Sequence, residues 1–142
     1  QKVAERGDGG FMGEISCPMR KDLAGDYVIV GHSERRELSA EHSELVVEKA
    51  KVAASGGISP IVCVGETLAD RESGRTEQVI DEQLAPLFAH SAESYGGLVI
   101  AYEPVWAIGT GKTASPEQAQ EVHAYIRSRL ASWNGVAAAG MR

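Results

Sequence analysis

Three short apolar runs come at similar intervals along the chain: Tyr27-Val28-Ile29-Val30, Pro60-Ile61-Val62-Cys63-Val64 and Leu98-Val99-Ile100-Ala101-Tyr102. Each is nearly continuous rather than alternating, the pattern expected of strands covered on both faces. Amphipathic stretches separate them. Leu45, Val46, Val52 and Ala53 share one helical face, as do Val79, Ile80, Leu84, Leu87 and Phe88. A later helix has the clearest start signal, with Ser115 as N-cap, Pro116 at the first helical position and Gln118 three residues after the cap. Its apolar face is Ala119, Val122, Ile126, Leu130 and Trp133. An earlier helix is expected to begin near Ser16 and Pro18, bury Met19 and Leu23, and stop at Gly25. Strands joined only through helices lie parallel, with right-handed crossovers, so the pattern predicts an α/β protein built from repeated βα units.

Composition narrows the function classes. The 142 residues are 43% hydrophobic and 24% charged, which fits one globular domain, residues 1–142, and excludes disorder, collagen and coiled coil. A formal net charge of -6 repels phosphate backbones, so no nucleic-acid partner is expected. The apolar runs fall far short of the roughly 20 residues a membrane helix needs, and no charged leader precedes one. No membrane partner is expected either. Cys17 and Cys63 are too few for a disulfide scaffold and read as core thiols in a reducing, cytoplasmic setting. Together with four histidines they show no metal-ligand spacing, so no metal is expected. Gln1 in place of an initiator Met reads as a processed or excised chain. Asp8-Gly9-Gly10 reads as a plain turn, and the Ala- and Gly-rich tail Asn134 to Arg142 as a frayed, disordered end.

In parallel α/β folds, functional side chains gather where strands end and loops begin. The first strand runs into Gly31-His32-Ser33-Glu34-Arg35-Arg36, the second into Gly65-Glu66-Thr67, and the third into Glu103-Pro104-Val105-Trp106-Ala107-Ile108-Gly109-Thr110-Gly111-Lys112-Thr113. A histidine after one strand and a glutamate after another could form an acid/base pair, the carboxylate taking a carbon-bound proton while the imidazole polarises the oxygen. Taken singly, His32 reads more readily as a structural histidine hydrogen-bonded at a strand end than as a catalytic one. Arg35 and Arg36 beside Glu34 and Glu37 fit an ion-pair network holding the turn better than an anion site. Gly111-Lys112-Thr113 invites comparison with a phosphate-binding P-loop, but the required glycine five positions earlier is Trp106. The apolar tip, flanked by Pro104 and Lys112-Thr113 and hinged by Gly109 and Gly111, reads instead as a lid that excludes water, or as an inert glycine-rich loop.

The segments Tyr27 to Arg36 and Ala101 to Thr113 resemble two signature segments of the triosephosphate isomerase family, and Pro60 to Thr67 and Gly13-Glu14-Ile15-Ser16 fit it in the right order. The resemblance covers nearly the whole chain up to Leu130. It implies part of an eight-stranded βα (TIM) barrel and the interconversion of dihydroxyacetone phosphate and glyceraldehyde 3-phosphate, a step of glycolysis and gluconeogenesis, with neither cofactor nor metal. Carried over residue by residue, it implies that Glu103 is the base, that His32 is the neutral electrophile and that Ser33 holds Glu103 when the lid is open. Glu34 corresponds to the residue that pairs with the family's catalytic lysine. The segment from Pro104 through Val105, Trp106 and Ala107 to Thr110, Gly111, Lys112 and Thr113 corresponds to the closing lid. Ile108 and Gly109 correspond to substrate contacts, the Gly109 amide facing the substrate phosphate.

A barrel of this kind takes roughly 250 residues. The matching segments run from the end of the family's third strand to its sixth helix, so the resemblance places the catalytic lysine and most of the phosphate grip outside these 142 residues. Neither Lys2 nor Lys21 sits in that lysine's context. In Gly10-Phe11-Met12-Gly13-Glu14, the loop that in the family enters a neighbouring subunit, Met12 stands where the family has threonine. A partial barrel leaves two unpaired sheet edges and an apolar inner face, from which a homo-oligomer covering them is expected. Beside a triose phosphate isomerase stands the alternative of an inactive half-barrel assembly module or folding fragment.

Overall fold

The computed structural model describes residues 3–5 and 15–142. The Asp8-Gly9-Gly10 turn, the Gly10 to Glu14 loop, the Gly13-Glu14 part of the family match and Lys2 lie outside the described residues. Three strands, β1 (Tyr27–Val30), β2 (Ser59–Val64) and β3 (Val99–Tyr102), form one parallel sheet in sequence order. Tyr27 lies opposite Ser59 in the first ladder, and Val64 opposite Tyr102 in the second. Helices α1 (Cys17–Asp22), α2 (Ser33–Leu38), α3 (Ser43–Ser55), α4 (Leu68–Glu72), α5 (Thr76–Phe88), α6 (Pro116–Trp133) and α7 (Gly135–Gly140) supply the connections and the terminal segments. Among the described residues this is part of a TIM-type βα barrel, and its three-stranded sheet is not closed.

The helices cover one face of the sheet. Val28, Val30, Val62 and Val64 pack with Val46, Val47 and Ala50 of α3, with Ile80, Leu84 and Leu87 of α5, and with Val122, Ile126 and Leu130 of α6. Burying such side chains contributes about 1.5–3 kcal/mol each. The opposite face differs from the expectation of strands buried on both sides. Ile29, Ile61, Val99 and Ala101 are only half-buried, because no second layer lies against them among the described residues.

The expected start of α6 holds in full. The Ser115 hydroxyl accepts the Gln118 N–H at 3.1 Å, and the Gln118 side chain accepts the Ser115 N–H at 2.9 Å. The first helix begins at the Ser16 cap as expected but buries Cys17 rather than Met19 or Leu23, which are 56% and 77% exposed. Six residues give one turn and a half, enough to turn a single side chain to the core. Its left-handed residue is Ala24 (φ 55°), not Gly25. The tail from Asn134 is not a frayed end. Asn134 caps α7 by accepting the Ala137 N–H at 3.0 Å, Ala138 is buried, and Arg127 donates to the carbonyls of Ala138 and Met141.

Candidate active site

β1 ends at Gly31, whose φ of +70° turns the chain into α2. Sequence pattern alone gives this stretch as a loop; a helix forms because the His32 Nδ1 accepts the Glu34 N–H at 3.3 Å and so caps its first turn. With Nδ1 accepting, the ring hydrogen sits on Nε2. That Nε2 lies 2.9 Å from Glu103 Oε1. Glu103 follows β3, and its carboxylate also takes the Ser33 hydroxyl on Oε1 at 2.8 Å and the Ser33 N–H on Oε2 at 3.0 Å. Side chains 70 residues apart in sequence thus meet at the carboxyl ends of two strands of a parallel sheet, where such folds carry their sites. The His32 side chain is 38% exposed and that of Glu103 14%, so the pair stands at the surface rather than in the core. Glu34 is apart from them: its carboxylate is exposed and has no partner among the described residues.

The segment after Glu103 is anchored at Trp106 and carries an exposed tip. Pro104 leads into a 3-10 turn over Val105–Ala107, closed by the Ala107 N–H on the Pro104 carbonyl and the Ile108 N–H on that of Val105. Trp106 is buried, and its indole N–H donates to Glu66 Oε1 at 3.0 Å under the guanidinium of Arg71. Ile108, Gly109, Thr110, Gly111, Lys112 and Thr113 are exposed. Gly109 and Gly111 have φ of +65° and +73°, and the Thr110 hydroxyl ties the tip back to the Trp106 carbonyl at 2.7 Å.

Glu66 is the group whose part here its position after β2 does not reveal. It is fully buried and collects the Tyr102 hydroxyl on both oxygens at 3.0 Å, Arg71 Nη1 at 3.0 Å, the Trp106 N–H and the Thr76 hydroxyl. Burial and the adjacent Glu66 charge push the Tyr102 hydroxyl well above the ordinary phenol range. The only sequence signal is that Tyr102 and Trp106, both amphipathic donors, stand four apart around Glu103.

The expected arginine network exists with other partners. Arg35 pairs with Glu41, a carboxylate 1% exposed that also takes Lys49 Nζ and the Gly31 N–H. Arg36 donates to the Gly31 and Cys63 carbonyls and to Ser43 Oγ, tying together the ends of β1 and β2. Cys63 is buried behind them, and burial followed by the Glu103 charge pushes its thiol up to about 11. No cluster of three or more metal-ligating side chains occurs among the described residues.

The family model for triosephosphate isomerase matches residues 1–142. The chain belongs to the triosephosphate isomerase family. It is 56% identical over 142 residues to a triosephosphate isomerase of Thiobacillus denitrificans, covering 99% of this chain and 57% of that protein. Triosephosphate isomerases of Nitrosomonas europaea and Delftia acidovorans are 56% and 51% identical over 136 and 132 residues, 95% and 93% of this chain and 54% and 53% of theirs. The chain therefore spans little more than half the length of these triosephosphate isomerases.

Proposed function

We propose that the Glu103, His32 and Ser33 cluster performs the proton transfer of triosephosphate isomerase, converting dihydroxyacetone phosphate to glyceraldehyde 3-phosphate and back. The observation that carries this is the Glu103 carboxylate within hydrogen-bonding distance of both His32 Nε2 and Ser33 Oγ at the strand ends. Glu103 leaves Ser33 and takes a proton from the carbon beside the substrate carbonyl. His32 Nε2–H gives its proton to the carbonyl oxygen as charge develops there and takes one back from the neighbouring hydroxyl, and Glu103 returns a proton to the adjacent carbon. Pro104 to Thr113 closes as a lid, the Gly109 amide and Ile108 facing the substrate, and excludes water that would otherwise let the enediolate lose phosphate. No cofactor or metal enters these steps, and a cytoplasmic setting suits the two buried free thiols.

Glu34, exposed and unpaired, is the place for a cation beside the developing oxyanion. A site working without one is slower by on the order of a hundredfold or more. The half-buried inner face of the sheet favours a second reading, an inactive assembly module or folding fragment. In either case we expect a second copy to cover the β1 and β3 edges, and sedimentation showing only monomer contradicts that.

The test of function is isomerisation of glyceraldehyde 3-phosphate by the chain beside a Glu103→Gln sample prepared identically. Turnover in the parent alone supports the isomerase. Equal trace activity in both overturns it in favour of the module.

A further inference from the structure

The peptide joining Val64 to Gly65 lies where the β2–β3 ladder ends at the Val64 and Tyr102 pair. Its carbonyl oxygen accepts the Glu103 N–H at 2.8 Å. Its N–H, on the other side of the same peptide plane, donates to Gln83 Oε1 at 2.8 Å. Gln83 completes the grip by donating from Nε2 to the Gly65 carbonyl at 3.0 Å. One amide side chain therefore satisfies both backbone groups of the residue at which the strand has run out. Gly65 and Glu103 also touch through their main chains, since a Cβ on Gly65 would stand 1.8 Å from the Glu103 carbonyl oxygen. Gln83 is itself fixed on α5, whose Ile80, Leu84 and Leu87 are buried in the core. A related device precedes His32, where the Gly31 N–H goes to Glu41 and its carbonyl takes Arg36.

We propose that Gln83 is a positioning residue for Glu103. It acts through the Val64–Gly65 peptide and rests on the reading of Glu103 as the base. Aligned peptide and side-chain amide dipoles polarise one another along the chain from Gln83 to the Glu103 N–H. Removing the amide strands the Gly65 N–H and carbonyl together, so the peptide turns to find other partners and carries the Glu103 backbone with it. A base must sit within a fraction of an ångström of the proton it takes, and a shift of about 1 Å is enough to cost about a hundredfold in rate. The Gln83 side chain has no hydrogen bond to His32, Ser33 or the Glu103 carboxylate, so its loss is expected to fall on kcat more than on KM.

The test uses the full 142-residue chain as parent, Gln83→Leu and Gln83→Glu, with steady-state isomerisation and amide hydrogen exchange measured on each. Gln83→Leu is expected to lower kcat about tenfold with KM within about twofold, and to speed exchange of the Gly65 and Glu103 amides while those of α6 stay protected. Gln83→Glu, which keeps an acceptor for the Gly65 N–H, is expected to lose only about threefold in kcat. Unchanged kcat in a folded Gln83→Leu chain overturns the proposal, as does an equal loss in both variants with exchange raised throughout the molecule. If the parent is no more active than Glu103→Gln, the isomerase reading fails by itself. The proposal is then decided by exchange alone: a faster Glu103 amide in Gln83→Leu sustains it and an unchanged one overturns it.

Discussion

Glu66 and Glu103 are two carboxylates that follow neighbouring strands of one sheet, and they are treated in opposite ways. Glu66 has no exposure at all and is ringed by Tyr102, Trp106, Arg71 and Thr76, donors that come from α4, α5, β3 and the turn after it. Glu103 keeps part of its surface and is held by only the serine and histidine that begin α2. A buried carboxylate gripped by four fixed donors is a structural post, because any movement uncovers a buried charge. One held by a hydroxyl, an amide and an imidazole near the surface can exchange those donors for others at little cost. The proposed chemistry therefore falls to the less buried of the two, and the more buried one anchors Trp106 beside it.

The sharpest way to break this contrast is to remove each carboxylate in turn. Glu66→Ala is expected to lower stability by about 3–5 kcal/mol, since it leaves the Arg71 charge and the Trp106 and Tyr102 donors without their acceptor. Glu103→Gln is expected to change it by less than about 1 kcal/mol. Urea unfolding of both variants checks the pair, and equal costs would show that burial does not separate their roles.

The contact between the two strand ends comes next in size. Gly65→Ala pushes a methyl group against the Glu103 carbonyl oxygen, and overpacking against backbone costs about 1–3 kcal/mol. Thermal unfolding is expected to show the loss, with Glu103 amide exchange raised. A variant as stable as the parent, with that amide still protected, would mean that the two main chains move independently.

How much of this is legible in the sequence depends on whether a residue's neighbours in sequence are also its neighbours in space. The three strands, the core faces of α5 and α6 and the Ser115 to Gln118 cap follow from local periodicity and capping chemistry, which act over one or two turns, whereas α3 turns Val47, Lys49 and Ala50 inward beside the expected Val46 and Ala53 and leaves Leu45 and Val52 half-buried. His32, Ser33 and Glu103 are legible as candidates because parallel strands put their following loops at one end of the sheet. The failures have the opposite character. Met19 and Leu23 sit on a helix too short to bury a face, and the Ala-rich tail carries no period yet is held by Arg127 from α6. Glu41, Glu66, Lys49 and Gln83 are polar side chains that read as solvated helix faces or loops, and only the folded chain shows the backbone groups and charges they meet.

Glu41 gives the smallest of the contrasts, read in pH. Desolvation raises its carboxyl, but the hydrogen bonds from Lys49 and Arg35, the Lys49 charge and the Gly31 N–H outweigh it and hold it below the ordinary 4.5. A carboxylate depressed in the folded state contributes stability that is present above the unfolded value and is lost as pH falls through the folded one. The chain is therefore expected to lose stability as pH drops below 4.5, and Glu41→Gln, less stable at neutral pH, to show a shallower loss over that range. Parallel slopes in parent and variant would remove Glu41 from the acid response.

The central claim is that Glu103 moves a proton between adjacent carbons, and deuterium uptake tests it most directly. With dihydroxyacetone phosphate and the chain in deuterated water, proton NMR is expected to show deuterium entering the carbon beside the carbonyl at a rate at least about a hundredfold above that of Glu103→Gln. Equal uptake in the two samples would contradict the account, because carbon-bound hydrogen would then be exchanging without this carboxylate.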